Sequence, residues 1–167
     1  MLEHLDPRVG CNFVDTNGLH RDGPEAEAIE AILELHQRPD HDFLLLLTES
    51  VKTEIEHPHT PLEVKLRALR MIWAEDTQEV LTGPEKDTRQ KVRTLIQGNA
   101  KPDQHDCDAF HLIESARNGG RHFITNDSRL LKKADELWTI LQLRVVTPSE
   151  WLAAYNRLRT ASRRIGF

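Results

Sequence analysis

The stretch from Asp108 to Asp127 constrains the fold of this chain more than any other. Its first half places apolar residues at steps of three and four, as on one face of a helix. Gly119-Gly120 is typical of a helix end, and a short buried strand follows at His122–Thr125. Asp108 lies near the start of the helix and Asp127 lies just beyond the strand. The pattern therefore predicts two carboxylates that converge on one edge of a sheet.

Size and composition favour one globular domain over residues 1–167. Hydrophobic residues make up 38% of the chain and charged residues 29%, which is ordinary for a soluble protein with a buried core. The formal net charge of -5 argues against a protein that binds nucleic acid through a basic surface. It does not argue against an acidic site whose charge a bound cation reverses. Arginines from about residue 157 predict a basic C-terminal tail, which is either an ordinary solvated tail or a guide for RNA.

Location is predicted from the cysteines and the first residues. Cys11 and Cys107 are far apart and form no Cys-x-x-Cys pattern, which fits a reducing cytoplasm. The first residues show neither a basic region nor a long apolar run, and Leu44–Leu47 is too short to span a membrane. We therefore predict a cytoplasmic protein without a membrane-spanning segment.

Strand and helix patterns alternate along the chain. Strands are predicted at Asn12–Val14, Phe43–Leu47, His122–Thr125 and Leu143–Val146. Helices are predicted from Pro24 to about His36, Thr48–Glu56, Leu62 to about Glu75, Lys86–Gln97, Asp108 to the Gly119 stop, Ser128–Leu137, and from Pro148 onward. This order predicts an α/β protein with three α/β/α layers and a mostly parallel central sheet. Right-handed crossovers place the carboxyl ends of all strands on one rim, where such folds bind ligands.

The helix predicted from Leu62 to about Glu75 has the strongest amphipathic pattern between the second strand and Asp108. Its apolar positions are Leu62, Leu66, Leu69 and Trp73. We expect these side chains to form its buried face.

Four acids are predicted on the rim of the sheet: Asp15, Glu54, Asp108 and Asp127. Carboxylate oxygens suit Mg²⁺ or Mn²⁺, which bind through a few carboxylates together with substrate phosphates. Such an ion orients a phosphodiester, lowers the pKa of a bound water and stabilises the leaving oxygen. The sequence offers no persuasive covalent nucleophile and no Gly-rich phosphate loop.

Two of these acids have close rivals in the sequence. Glu56 lies two helical steps from Glu54, a turn of about 200°, so both cannot face one site. Glu54 is preferred because it shares a side with Val51 and Ile55. Asp106 rivals Asp108, but it is better explained as a charge in the first turn of the helix or as a helix cap. Asp127 can cap the following helix and still bind a metal.

Four short motifs, taken in order, resemble the PIN-domain family. They are Phe-Val-Asp-Thr-Asn (13–17), Ser-Val-Lys-Thr-Glu-Ile (50–55), Asp-Ala-Phe-His-Leu (108–112) and Phe-Ile-Thr-Asn-Asp (123–127). The resemblance places the four family acids on the positions given above and supporting polar residues on Asn17 and Thr125. It implies the PIN fold, divalent-metal dependence and cleavage of single-stranded RNA. The family includes VapC-type toxins, which implies an antitoxin protein as a partner and pairing of two copies.

This chain departs from the family pattern in two places. The segment between Glu54 and Asp108 is long and rich in acids, and Ile113 and Glu114 stand where small residues are common. His111 lies one turn after Asp108, either as a supporting residue or proton donor or as an ordinary packed histidine.

Two rival functions remain open from the sequence. One is a catalytically inactive PIN-like module that binds RNA or protein, which the negative charge and the lengthened helical segment favour. The other is a phosphotransfer protein such as a phosphatase or receiver domain. A phosphatase with an aspartyl nucleophile needs a second acid two residues after Asp15, where Asn17 stands.

Overall fold

The computed structural model describes residues 6–20, 25–75, 81–101 and 105–164, with side chains to residue 162. Five strands in these ranges form one sheet in the order β3-β2-β1-β4-β5, and every pair of neighbours is parallel. The strands are β1 (Cys11–Val14), β2 (Leu44–Leu47), β3 (Ile72–Trp73), β4 (Gly120–Ile124) and β5 (Arg144–Val146). The helices are α1 (Ala26–His36), α2 (Glu49–Glu56), α3 (Leu62–Ala68), α4 (Gly83–Gln97), α5 (Asp106–Arg117), α6 (Ser128–Leu131), α7 (Ala134–Leu141) and α8 (Pro148–Arg164), with a 3₁₀ helix at Thr16–Leu19. The predicted α/β class with a parallel central sheet is confirmed.

The sheet separates two apolar cores, because successive side chains of a strand point to opposite faces. In β1, Val14 joins the core beneath α1, α2, α3 and α8, whereas Phe13 joins the core beneath α4 to α7. In β4, Ile124 and Phe123 divide in the same way. The structure is therefore a three-layer α/β/α fold with β1 at the centre of the sheet.

A buried polar contact attaches α8 to the central strand. Asn12 of β1 is fully buried, and its Nδ2 donates to the carbonyl oxygens of Pro7 (2.8 Å) and Leu44 (2.9 Å). Its Oδ1 accepts a hydrogen bond from Trp151 Nε1 at 2.8 Å. The Asn12 amide is thus satisfied, as a buried polar group requires, and it fixes where the α8 tryptophan packs.

The predicted helix from Leu62 to about Glu75 was wrong in length and in its buried face. The helix α3 ends at Ala68, and Ile72–Trp73 forms the edge strand β3. Leu62, Leu66 and Leu69 are 68%, 54% and 74% exposed. The opposite face carries Val64 and Ala68, which are fully buried in the core. Arg67 on the same face donates to Glu30 Oε1 of α1 at 2.5 Å and to the Leu19 carbonyl at 2.6 Å.

Two substitutions in α3 test which of its faces is buried. We expect Val64→Ala to lower the free energy of unfolding by about 2 kcal/mol, because it opens a cavity in a closed core. Leu66→Ala is expected to change it by less than about 0.5 kcal/mol, since that side chain is exposed. Urea denaturation of both variants measures the difference. A larger loss from Leu66→Ala would contradict the observed orientation of α3.

Other boundaries differ from prediction in smaller ways. The single helix predicted at Ser128–Leu137 is divided into α6 and α7 at Lys132-Lys133. Helix α4 begins earlier than Lys86, because Thr82 and Glu85 form a capping box. The residues from about 157, predicted as a tail, continue α8 to Arg164. The predicted helix start at Pro24 lies outside the described residues. Within those residues, no helix is both long and apolar enough to cross a bilayer.

Buried His122 in β4 makes stability depend on pH. Burial, with the charges of Arg144 and Arg121, lowers the pKa of His122 from 6.5 to about 4. Between those two values the unfolded chain holds a proton that the folded chain does not, so stability falls as the pH falls from about 6.5 to 4. The shift corresponds to about 3 kcal/mol. Between pH 7 and pH 4, we expect His122→Gln to lose about 3 kcal/mol less of its free energy of unfolding than wild type loses, as measured by urea denaturation. Equal losses in the two proteins would contradict this.

Candidate metal centre

The carboxyl ends of the central strands β1 and β4 form the floor of the site. Asp15 directly follows β1, and its backbone N–H donates to the Ile124 carbonyl of β4 at 2.9 Å. Its side chain is only 4% exposed. Thr125, which follows β4, donates from Oγ1 to Asp15 Oδ2 at 2.8 Å. The parallel sheet thus places the first predicted acid and its predicted threonine partner in direct contact.

Glu54 reaches the same edge from α2. The side chain of Thr48 caps this helix by accepting from the Val51 N–H at 3.4 Å. Glu114 of α5, buried to 2% exposure, accepts from the Ser50 N–H at 3.1 Å and from the Ser50 hydroxyl. The unusual glutamate noted in the sequence therefore holds the start of α2 against α5.

Each of these two carboxylates uses one oxygen for a threonine and leaves the other for the site. Thr16 Oγ1 donates to Glu54 Oε2 at 2.6 Å, as Thr125 does to Asp15 Oδ2. The remaining oxygens, Asp15 Oδ1 and Glu54 Oε1, face the ring of His111. Hydrogen bonds of this kind fix the orientation of metal-binding carboxylates.

His111 lies between the two carboxylates and is 2% exposed. Its Nδ1 is 3.7 Å from Asp15 Oδ1, and its Nε2 is 3.5 Å from Glu54 Oε1. One ligand atom from each of the three residues lies within 4.8 Å of the others. No hydrogen bond to His111 Nδ1 is found among the described residues, so the 3.7 Å approach is an electrostatic contact. Asp15, Glu54 and His111 could hold a metal ion.

The charges around His111 decide its protonation. Burial alone disfavours a protonated ring, but the interaction with Asp15 and the charges of Glu54 and Asp108 raise the pKa of His111 above its ordinary value. A protonated ring would neutralise part of the acidic site, and a metal ion would require the neutral ring. The carboxylates of Asp15 and Glu54 would therefore stabilise either a protonated His111 ring or a bound cation.

Asp108 and Asp127 form the second half of the site around Arg129 of α6. Arg129 Nη2 lies 3.1 Å from Asp108 Oδ2 and also donates to Asp127 Oδ2. Asp127 Oδ1 accepts from the Arg129 backbone N–H at 2.8 Å and from Nε at 3.1 Å. Asp127 therefore caps α6, as predicted, while it binds the arginine side chain.

Burial and the charge of Asp15 raise the pKa of Asp108, although Arg129 opposes the shift. For Asp127, burial favours the protonated form, but the hydrogen bonds from Arg129 hold the pKa of that carboxyl below its ordinary value. The charge of Asp127 also raises the pKa of Asp108. Because Asp15 belongs to the first half of the site and its charge raises the pKa of Asp108 in the second, the two halves are electrostatically coupled.

The remaining predicted residues lie in different places. Asn17 is exposed, and its carbonyl accepts from Asn126 Nδ2 at 3.2 Å. Asp106 is the first residue of α5, as predicted for a first-turn charge, and pairs with Arg89 at 2.9 Å. His111, predicted only as a supporting residue, lies in the metal group itself. The sequence did not indicate Arg129, or His105, whose Nδ1 is 3.1 Å from Asp108 Oδ2.

A groove of about 920 Å³ opens beside Glu54 and His111. Its walls come from α2, α4 and α5. Lys86, Arg89 and Arg93 of α4 line it, and the Arg89 guanidinium lies 5.0 Å from the ring centroid of Phe110. The site therefore opens onto a surface that offers both cations and an aromatic ring.

Comparison with known proteins identifies no family for this chain. No protein-family model matches it, and searches of curated proteins and of solved structures return no significant match.

Proposed function

We propose that the protein is a divalent-metal-dependent endoribonuclease of the PIN type that hydrolyses single-stranded RNA. One observation carries the proposal: Asp15, Glu54 and His111, which are distant in sequence, present ligand atoms within 4.8 Å of one another at the carboxyl edge of a parallel sheet. Asp108, Asp127 and Arg129 adjoin them. The order of the motifs along the chain supports the assignment to the PIN type.

The donor set fits a divalent ion. Asp15, Glu54 and His111 each offer one ligand atom, and these atoms lie within 4.8 Å of one another. His111 Nδ1 is buried and has no hydrogen-bond partner among the described residues. When bound there, a divalent ion would polarise the scissile phosphate and lower the pKa of a coordinated water. An imidazole beside two carboxylates favours Mn²⁺ over Mg²⁺, because Mg²⁺ takes oxygen ligands.

The surrounding residues support a role in binding a phosphodiester chain. Lys86, Arg89 and Arg93 line the groove that leads to Glu54 and His111, and cations of this kind contact phosphates. Arg89 also pairs with Asp106 and lies over the Phe110 ring, so a cation and an aromatic ring are in contact at this surface. Thr16 and Thr125 hold the two carboxylates in position before any substrate binds.

The test compares two glutamates of α2 whose side chains point in different directions. Glu54 faces His111, whereas Glu56 is exposed. We expect wild type to cleave end-labelled single-stranded RNA with Mn²⁺, less rapidly with Mg²⁺, and not at all with excess chelator. Glu54→Gln is expected to lower the rate by at least about 100-fold, since it removes a charged ligand. Glu56→Gln is expected to cleave at the wild-type rate.

Two results would contradict the proposal. Cleavage by Glu54→Gln at the rate of Glu56→Gln would separate the activity from this site. A purified wild-type protein that turns over no RNA with any divalent ion would favour the non-catalytic module that binds RNA or protein.

A further inference from the structure

Arg129 lies between two of the four acids that the sequence predicts as metal ligands, Asp108 and Asp127. Its Nη2 approaches Asp108 Oδ2 at 3.1 Å and also contacts Asp127 Oδ2. The same guanidinium therefore bridges carboxylates from α5 and from the end of β4. Bridging of two carboxylates by one centre of positive charge is also what a divalent ion does.

The contacts of Arg129 are numerous enough to hold the guanidinium in place. Asp127 Oδ1 accepts from its Nε at 3.1 Å, so the Arg129–Asp127 pair is a two-point contact. Arg129 Nη1 contacts both ring nitrogens of His105, Nδ1 and, at 2.6 Å, Nε2, and His105 Nδ1 is also 3.1 Å from Asp108 Oδ2. The Arg129 side chain is nevertheless 43% exposed, so solvent still reaches it.

The other half of the site contains no such arginine among the described residues. Asp15 and Glu54 direct their free oxygens at His111, and no Lys or Arg of the described residues forms an ion pair with either carboxylate. Asp108 and Asp127, by contrast, both contact Arg129, which keeps its charge at any ordinary pH. The second half of the site therefore already contains a permanent cation, and no described residue supplies one to the first half.

We propose that Arg129 is a built-in replacement for a second metal ion, so that the site takes one divalent cation, at Asp15, Glu54 and His111. The inference rests on the proposed function and refines it. It leaves a permanent positive charge beside the metal group, on a side chain that solvent reaches. The Arg129 charge offsets the repulsion between the carboxylates of Asp108 and Asp127, which the side chain contacts with one nitrogen.

Removal of the charge of Arg129 tests the inference through the number of bound ions. We expect wild type to bind one Mn²⁺ per chain and Arg129→Gln to bind two, counted by calorimetry and by the electron paramagnetic resonance of free Mn²⁺. The vacated carboxylates of Asp108 and Asp127, with His105 beside them, would supply the additional ligands. Arg129→Met serves as a second variant, because it removes the charge without introducing an oxygen that can itself bind the ion.

Arg129→Lys is the matched control and is expected to bind the same number of ions as wild type. Circular dichroism of each variant checks that it folds, which is expected because the side chain is not part of either core. Equal ion counts in wild type, Arg129→Gln and Arg129→Met would overturn the inference. So would an additional ion in Arg129→Lys, since the charge would then not be what excludes it.

The ion counts are read without reference to RNA cleavage. Failure of the proposed function would appear as absence of metal-dependent cleavage by wild type, whatever Arg129→Gln binds. If wild type cleaves RNA and the variants gain no ion, only the role of Arg129 is lost. A gain of one ion on removal of the charge supports that role even in a protein without activity.

Discussion

Cleavage of RNA is expected to fall by a factor of about 10³ when Asp15 is replaced by Asn. The substitution removes a buried negative charge that faces His111, and the charge stabilisation from such a ligand amounts to several kcal/mol, with each 1.36 kcal/mol worth a factor of ten. The fold is expected to persist, because the Asn carbonyl can still accept from Thr125. Loss of the Asp15 charge also relieves the effect that raises the pKa of Asp108.

The matched control for this substitution is Asp40→Asn at the surface. Asp40 is 68% exposed and lies 3.5 Å from Arg159 of α8. Its replacement removes the same charge from the protein without changing the site. Both variants are compared with wild type in the same RNA-cleavage assay, and thermal unfolding confirms that both are folded. Cleavage by Asp15→Asn at the wild-type rate would show that the reaction does not depend on this metal site.

The largest loss of stability is expected from Trp151→Ala, at about 4 kcal/mol. Trp151 is fully buried, and its ring packs against Phe43 at a centroid distance of 4.9 Å and against Tyr155 at 5.5 Å. Its loss also leaves Asn12 Oδ1 in the centre of the sheet without a donor. Since small domains have only about 5–15 kcal/mol of stability in total, much of it depends on this side chain.

Two further variants separate packing from hydrogen bonding in Trp151→Ala. Trp151→Phe keeps a ring but removes the donor to Asn12, and a loss of about 1–3 kcal/mol is expected from the unsatisfied oxygen. Trp138→Ala makes the same chemical change on the half-buried side of α7 and is expected to cost only about 1 kcal/mol. Urea denaturation at pH 7 measures all three. Equal losses from Trp151→Ala and Trp138→Ala would contradict the packing of α8.

The sheet could be predicted because four of its five strands contain a short apolar run between turn signals. β1, β2, β4 and β5 all have this form. The edge strand β3 could not be found, because two residues carry no periodicity and the preceding pattern continues through them. The buried face of α3 was predicted wrongly, and Arg67 on that face contacts Glu30, 37 residues away. A helix with apolar residues on both sides does not indicate which side a distant partner will bury.

The sequence could predict only the part of the site that strand pairing brings together. Asp15 follows β1 and Thr125 follows β4, so pairing of these two strands was sufficient to bring them together. The direction of the His111 ring depends on how α5 packs against α2, which no local pattern shows. Arg129 was missed for a similar reason. Its partner Asp127 is two residues away, but its partner Asp108 lies on another element, and a basic residue early in a helix has no specific meaning in sequence.

The proposed metal centre is tested most directly by a crystal of the wild-type protein soaked in Mn²⁺ and measured near the manganese absorption edge. We predict an anomalous peak in coordination contact with Asp15 Oδ1, Glu54 Oε1 and the His111 ring, with none between Asp108 and Asp127 where Arg129 lies. Ordered density for these side chains without such a peak at saturating Mn²⁺, or an ion held by other residues, would contradict a metal centre at Asp15, Glu54 and His111.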